Sequence, residues 1–169
     1  MAFRSIFGAP GDLNSVSAVA SSLPVGLSLG ERRFEGDKLF ILCYNKGNSA
    51  IPQGYCATPA DGSAGPYSVT VSTASNSFHH IGAVHNNNAS VPTANYFWGL
   101  KSGRADGAVC NSAIATGVAL KIAANGLYET IAQSVVTGVK AVGMNLGGAA
   151  AKTMTTGAFT GDPIFNGFE

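Results

Sequence analysis

The sequence is poor in charge. Only 11% of its 169 residues are Asp, Glu, Lys or Arg, whereas an ordinary soluble domain has roughly 25%. The formal net charge is +1. A nearly neutral chain has no field that would draw it onto nucleic acid or an anionic lipid surface. We therefore expect neither nucleic acid nor a membrane among its partners.

Long apolar runs are also missing. Apolar residues make up 46% of the chain, but many are alanine, and no uncharged run approaches the roughly 18 residues that a membrane span needs. Near the N-terminus, Gly8, Pro10 and Gly11 interrupt the sequence before the core of a signal peptide can form. These absences predict a soluble protein that is not secreted by a standard route.

Cysteine and histidine are scarce. Cys43, Cys56 and Cys110 are widely spaced, and the chain has no CxxC pair. That spacing favours buried reduced thiols, with one disulfide and a free thiol as the alternative.

The histidines lie together at His79, His80 and His85, where they are the one candidate for metal chemistry. In a strand, alternation would point His79 and His80 to opposite sides. No acidic residue lies between Asp61 and Asp106 to complete a ligand set. The sequence thus predicts no metal and no cofactor within one chain. A site shared by several chains around a symmetry axis is less constrained.

Catalytic motifs are missing as well. The chain contains no Walker loop, no GxGxxG and no HExxH. We therefore expect a protein that is not an enzyme and has no catalytic residues.

Turn-forming residues are abundant instead, with 22 glycines. From Lys38 onward, short β-type runs alternate with segments rich in Gly, Asn and Pro. This spacing is typical of an all-β fold rather than of alternating strands and helices. The predicted strands cover residues 38–45, 53–58, 67–73, 78–84, 95–102, 107–110, 117–123, 127–133 and 139–144.

The first 35 residues differ from the rest. Up to residue 30 they carry only two charged residues, Arg4 and Asp12, together with many Gly, Ser and Pro, so they are not expected to close a core of their own. We predict an N-terminal arm over 1–35, a β domain over 36–158 and a tail over 159–169. The arm is expected to be either disordered or laid along a neighbouring subunit.

Two local features of the arm carry further expectations. Asp12 is a candidate N-cap for a short helix with Leu13, Val16 and Ala20 along one side. The mixed-charge stretch GERRFEGDK, residues 30–38, is interpreted as a solvated hinge between the arm and the β domain. A docking patch is the alternative.

The pair Asn125-Gly126 predicts a two-residue type I′ turn between two strands. In that register Ile122 faces Glu129, and Tyr128 points to the outer face. Glu129 then lies on the apolar face, where a carboxylate needs a partner or water. We therefore expect Glu129 at a barrel mouth or a subunit contact.

Aromatic residues concentrate in NYFWGLKSGR, residues 95–104. Alternation along a strand predicts that Phe97 faces one way and that Tyr96 and Trp98 face the other. Stacking on single-stranded bases would need a basic groove, which the sequence does not provide. We expect Trp98 to be an anchor in the core or at a subunit interface.

Four features follow one another between residues 81 and 153. They are YFWGLKSGRADGAV, the step ATGVAL, a hairpin with a Gly turn, and VKAVGMNLGGAAA. Together they resemble the small capsid-decoration (cement) proteins of tailed bacteriophages. The chain departs from the smallest members of that family in its longer N-terminal part, residues 1–77.

The resemblance implies a small antiparallel β-barrel or β-tulip domain on the outer surface of a phage capsid. Such proteins are made in the host cytoplasm and are often trimers, and their extended terminal segments grip the major capsid protein. If the first residues form such an arm, we expect that deleting residues 1–30 leaves the β domain folded but abolishes its assembly onto the partner protein. The candidate interface residues are Phe3, Ile6, Phe7, Leu13, Val16, Phe97, Trp98 and Glu129.

Two other functions compete with this one. Another virion subunit, of a tail tube, a connector or a fibre base, would also be β-rich and oligomeric. A metal-dependent hydrolase using the three histidines is the less favoured alternative.

Overall fold

The chain is mainly β. A computed structural model describes residues 13, 15–60, 65–72, 81, 90–104, 108–111, 114, 118–131, 143–145 and 163–165. Within these ranges, ten strands form one mixed sheet, and the helical content is one short 3-10 turn. The prediction of a mainly β fold is confirmed. The strands are β1 (Val19–Ala20), β2 (Arg32–Glu35), β3 (Lys38–Asn45), β4 (Ala57–Pro59), β5 (Ser68–Val71), β6 (Tyr96–Arg104), β7 (Ala119–Ile122), β8 (Tyr128–Thr130), β9 (Gly143–Asn145) and β10 (Pro163–Phe165).

The long strands β3 and β6 form the centre of the sheet. They pair antiparallel, with Leu42 opposite Trp98 and Cys43 opposite Phe97. Successive side chains of a strand point to opposite faces, and here both faces are covered by other parts of the chain. This double burial explains why the β3 sequence KLFILCYN is an almost continuous apolar run rather than an alternating one.

Two cores lie on the opposite faces of this central pair. Phe97 belongs to one core, whereas Trp98 and the half-buried Tyr96 belong to the other, as alternation along the strand predicted. The first core consists of Leu13, Phe40, Leu42, Cys56, Trp98, Leu100, Ala108, Cys110, Ile114, Leu120, Ile122 and Tyr128. The second core consists of Ile41, Cys43, Ile51, Ala57, Val69, Ile81, Val91 and Phe97.

The sheet follows the strand order β4-β5-β3-β6-β10-β9-β7-β8. The two remaining strands add to its centre, β1 beside β6 and β2 beside β3. Most neighbours are antiparallel, and β3 and β5 are parallel. Among the described residues these ladders do not close into a complete barrel.

The segment predicted to be an arm and a hinge is instead integrated into the sheet as far as it is described. Val19 pairs with Phe97, and the whole of β2 pairs antiparallel with β3. The hinge stretch is therefore a β-hairpin, and the predicted boundary at residue 35 falls inside it. Composition was misleading because backbone pairing with a long central strand stabilises a segment that has few apolar residues of its own.

The helix predicted to begin at Asp12 does not form over the residues described there. Ala18 N donates to the carbonyl of Ser15 at 3.0 Å, which closes a turn, and β1 follows immediately. Ser and Val are mediocre helix formers. Pairing with β6 supplies hydrogen bonds to the backbone N–H and C=O groups that a helix would have used. Tertiary contacts therefore decide the local structure.

The hairpin of β7 and β8 has a longer turn than predicted. Three residues, Ala124 to Gly126, form the turn, and Asn125 and Gly126 have φ of +63° and +74°. Lys121 is therefore opposite Glu129, one position away from the predicted register. A shift of one residue exchanges the two faces of a strand.

The exchange of faces reverses two expectations. Tyr128 lies fully buried in the first core, although its predicted position was on the outer face. The prediction that Glu129 lies on the apolar face is wrong, because Glu129 shares the opposite face with Lys121.

We expect Gly126→Val to destabilise the protein by more than about 2 kcal/mol. Besides the positive φ, a Cβ at this position would lie 2.8 Å from Cγ1 of Val71 and 2.9 Å from the carbonyl oxygen of Cys56. Urea denaturation measures the change. Asn125→Gly is the matched control, because it keeps the turn conformation and is expected to change stability by under about 1 kcal/mol. Equal stability of the two variants would mean that the turn does not constrain Gly126.

Candidate functional site

Three of the predicted interface residues lie in the interior of the chain. Leu13, Phe97 and Trp98 are each at most 3% exposed. The indole Nε1 of Trp98 donates to the carbonyl of Leu13 at 2.8 Å, which ties the start of the described chain to the central strand. We correct the expectation accordingly: these side chains hold the fold together, and the core alternative for Trp98 applies.

The other candidates have different positions. Val16 is half-buried and packs against the first core. Phe3, Ile6 and Phe7 lie outside the described residues.

Glu129 has its partners within the chain. Its carboxylate lies 2.8 Å from Nζ of Lys121 and accepts a hydrogen bond of 2.8 Å from Nδ2 of Asn111. Burial by itself raises the pKa of Glu129, but the hydrogen bonds from Lys121 and Asn111 outweigh it and hold the pKa below its usual value. The carboxylate is thus stabilised in its charged form without a second subunit.

The lowered pKa of Glu129 predicts a pH-dependent contribution to stability. A carboxyl whose pKa falls on folding stabilises the protein above the unfolded pKa, and this stabilisation disappears as the pH falls through the folded value. We expect Glu129→Gln to cost about 0.5–1 kcal/mol near pH 7, a modest value because the pair is partly exposed.

The difference between Glu129→Gln and the wild type should be smaller at an acidic pH, at which the Glu129 carboxyl is protonated in both the folded and the unfolded chain, than near pH 7. Urea denaturation at the two pH values measures it. Lys121→Met is the companion variant and should remove a similar amount near neutral pH. A cost for Glu129→Gln that is equal at both pH values would exclude an electrostatic origin.

The three cysteines are free and buried. Burial raises the pKa of each thiol to about 12, and for Cys43 and Cys56 the nearby Lys101 and a hydrogen bond offset only part of that effect. Because the thiolate is the nucleophile, the described fold keeps all three side chains in their unreactive form at neutral pH.

We expect the native protein to react with a thiol reagent such as DTNB at least about a hundredfold more slowly than the urea-unfolded chain. The unfolded chain should release three equivalents, one for each free cysteine. The rate of colour development at pH 8 measures both states, with the unfolded chain as the internal control. A native thiol that reacts as fast as the unfolded chain would mean that one of these sites opens readily.

His79, His80 and His85 lie outside the described residues. Among the residues that are described, no three His, Cys, Asp or Glu side chains come together as a group that could hold a metal ion. Within the same ranges, no helix has both the length and the apolar character needed to cross a membrane.

Among the residues that the structure describes, the exposed large apolar side chains lie between residues 25 and 34. Val25 is fully exposed, Phe34 is 72% exposed and Leu29 is partly exposed. Scattered exposed apolar residues are normal. Here, however, all three lie within ten residues, and Phe34 is on a strand at the side of the sheet.

Sequence reasoning did not predict the exposure of Phe34. The alternation in β2 offered a signal, since a strand with the sequence RRFE has Phe34 and Arg32 on one face and Arg33 and Glu35 on the other. An aromatic residue that shares its face with a cation is more typical of an exposed surface than of a core.

The four residues of β2, Arg32 to Glu35, are called the β2 edge below. The guanidinium of Arg33 lies 2.8 Å from the Glu35 carboxylate and 6.0 Å from the ring centroid of Trp98. Such a position over an indole face is a weak cation–π contact. The ion pair and the ring hold Arg33 on the first-core side of β2, while Phe34 projects on the other side.

Comparison of the chain with protein families, curated proteins and solved structures gives no match.

Proposed function

We propose that this chain is a structural virion protein, a capsid-decoration protein of a tailed bacteriophage. In this role it binds the outside of the capsid, contacts the major capsid protein and stabilises the lattice by bridging capsid subunits. It is made in the host cytoplasm and acts on the outer capsid surface. The proposal includes no catalytic step and no cofactor.

The observation that carries the proposal is the exposed apolar surface between residues 25 and 34 of a mainly β chain. A bridging protein must bury apolar area against its partners, and Val25 and Phe34 offer such area on the outside of the fold. The surrounding charges of β2 are of both signs, which suits recognition of a protein rather than of a polyanion.

The resemblance of residues 81–153 gives the specific form of the proposal. Three of its motifs correspond to strands that belong to one part of the sheet. YFWGLKSGR forms β6, VALKIAANGLYET forms β7, β8 and their turn, and GMN forms β9. Through β10 these strands follow one another in the order β6-β10-β9-β7-β8.

A barrel-like or tulip-like form of the domain is part of the same proposal. Cys56 N donates to the carbonyl of Gly126 at 2.6 Å, and Val109 N donates to the carbonyl of Gly54 at 2.9 Å. The first bond links the neighbourhood of β4, at one end of the strand order, directly to the hairpin at the other end. The second reaches the hairpin through Val109, whose carbonyl accepts from the N–H of Tyr128 at 3.0 Å. Because single bonds rather than a ladder make the link, we propose a curled sheet that is not hydrogen-bonded all the way round.

Quantitative mass spectrometry of purified virions tests the function. We expect a copy number similar to that of the major capsid protein, consistent with a homo-oligomer, in which trimers are favoured. A copy number typical of one ring, about 6 to 12 per particle, would favour a connector or tail role through closed cyclic symmetry. Absence of the chain from virions would overturn the proposal.

Particles that lack the protein provide the second arm of this test. We expect such capsids to lose their genome at a lower temperature than complete capsids, and added purified protein should restore the difference. Equal survival with and without the protein would contradict a stabilising function even if the copy number is high.

A further inference from the structure

The β2 edge is a strand at the side of the sheet that carries a large exposed side chain. Among the described strands, β2 pairs with β3 alone. Phe34, near the end of this strand, is 72% exposed. Proteins commonly protect such edges with bulges or charges, because an open edge is a template for pairing with another strand.

The hydrogen-bond pattern shows which residues of β2 face outward. Leu42 N donates to the carbonyl of Glu31 at 2.9 Å, so these two residues occupy the position of a hydrogen-bonded pair, although the carbonyl of Leu42 accepts from Gly30 N and not from Glu31 N. Such pairs alternate along antiparallel strands, and the register continues with Arg33 opposite Phe40. The backbone groups of Arg33 and Glu35 therefore point toward β3, and those of Phe34 point away from it.

Side-chain faces restrict how β2 could pair antiparallel with a copy of itself. A two-fold axis normal to the sheet keeps each face on its own side, so only residues on the same face of β2 can be opposite one another. The axis must therefore pass beside one residue, which is opposite its own copy, and not between two residues, which lie on opposite faces. A register centred on Arg33 would place that arginine opposite itself, which is unfavourable because like charges repel.

The register centred on Phe34 satisfies both the backbone and the charges. The outward N–H and C=O of Phe34 would bond to those of the second copy's Phe34, as a hydrogen-bonded pair requires. Arg33 of each copy would be opposite Glu35 of the other, so the ion pair present within each chain would extend into a network of four charges across the axis. The two Phe34 rings would pack together and lose the exposure seen in one chain.

We propose that the β2 edge is a self-association surface, on which two copies of this chain pair antiparallel with Phe34 at the two-fold axis. This inference does not require the function proposed above, but both use the exposure of Phe34, and in the paired state Val25 and Leu29 remain exposed for other partners. The contact joins two copies, and it can link copies that belong to different trimers as well as form a simple dimer. An interface of this length is small, which is typical of a weak and reversible contact.

Sedimentation velocity of the purified full chain over a range of concentrations tests the proposal. We expect a reversible two-fold association in the wild type and a rise of at least about tenfold in its dissociation constant for Phe34→Ser. Val25→Ser is the matched control, since it removes another exposed apolar side chain that lies outside β2, and it should associate as the wild type does.

Charge exchange tests the register. Arg33→Glu and Glu35→Arg each place like charges opposite one another across the axis, so each alone should weaken association. The double variant Arg33→Glu/Glu35→Arg restores opposite charges and should recover association to within about threefold of the wild type. The near-UV circular dichroism of Trp98 checks that the fold beneath Arg33 is intact.

A cysteine at the axis gives a readout that does not depend on the charges. Phe34→Cys should form an intermolecular disulfide, because Cα atoms of a hydrogen-bonded antiparallel pair are about 5.5 Å apart, within the range of a disulfide. Val25→Cys should form far less. A wild type that stays monomeric, single charge variants that match the double variant, or equal crosslinking at positions 25 and 34 would each overturn the proposal.

Discussion

Deletion of residues 1–30 is expected to unfold the protein. Leu13 is buried in the first core, and Leu23 and Leu27 pack against that core from the same segment. The deletion also removes β1 from β6 and the carbonyl that accepts the indole N–H of Trp98. The deletion therefore removes contacts of the central strand β6 and of the first core.

The expected loss of folding free energy can be estimated from the contributions of single side chains and hydrogen bonds. Loss of a buried Leu costs about 2–5 kcal/mol, and a buried donor without its partner costs about 1–3 kcal/mol. The sum approaches the whole stability of an ordinary domain, about 5–15 kcal/mol. We therefore expect no cooperative thermal transition in the truncated chain and a red shift of the fluorescence of Trp98, the single tryptophan.

Two further variants identify the cause. Deletion of residues 1–12 keeps every described contact of the segment and should melt as the full chain does. Leu13→Ala in the full chain should destabilise by about 2–4 kcal/mol. A truncation at residue 30 that still melts cooperatively near the wild-type temperature would support the separable arm that the composition suggested.

The bounds of the central strand β3 could be predicted from sequence, because KLFILCYN is a long apolar run between turn residues. The partners of β3 could not. Its pairing with β2 and β6 depends on residues far apart in the chain or on a segment without a strong strand pattern. Short strands such as β1 and β10 form because a neighbouring strand supplies their hydrogen bonds. The local composition of these segments does not indicate such a partner.

The hairpin shows how a small local error changes a site. The turn at Asn125-Gly126 was predicted in the correct place, but the turn includes Ala124 as a third residue. The resulting shift by one residue moves Tyr128 into the core and gives Glu129 a partner in Lys121. The length of a turn depends on the backbone conformation of single residues, which sequence patterns do not predict well.

Three of the interface candidates, Leu13, Phe97 and Trp98, lie in the cores for a related reason. Large apolar and aromatic residues such as Phe97 and Trp98 are typical of cores and of interfaces alike, and a single sequence does not separate the two. Exposure does separate them, and it points to Phe34 instead. The exposed aromatic side chain therefore lies on the strand that was interpreted from sequence as a hinge.

Asn45, at the end of β3, is a buried polar residue that no sequence motif indicated. Its side chain is fully buried. The amide Nδ2 donates to the carbonyls of Ser49, Val91 and Pro92, each at 3.1 Å, and Oδ1 accepts from the N–H of Gly47 at 3.0 Å. One side chain thus connects two loops that cover the second core.

We expect Asn45→Ala to destabilise the protein by about 3–5 kcal/mol, because it leaves several buried backbone groups without partners at once. Asn45→Asp should be at least as damaging, since it places a carboxylate oxygen against three carbonyl oxygens. Urea denaturation measures both changes, with the same dependence of the unfolding free energy on urea concentration used for all variants.

Asn95→Ala is the matched control for this effect. Asn95 lies beside the same loops and its carbonyl accepts from the N–H of Asn45 at 2.8 Å, a backbone bond that the substitution keeps. We expect it to cost under about 1 kcal/mol. If the two substitutions cost the same, the hydrogen bonds of Asn45 are not what holds the loops. If only Asn45→Ala is severe, one buried amide fixes the chain segments that close the second core over β3 and β6.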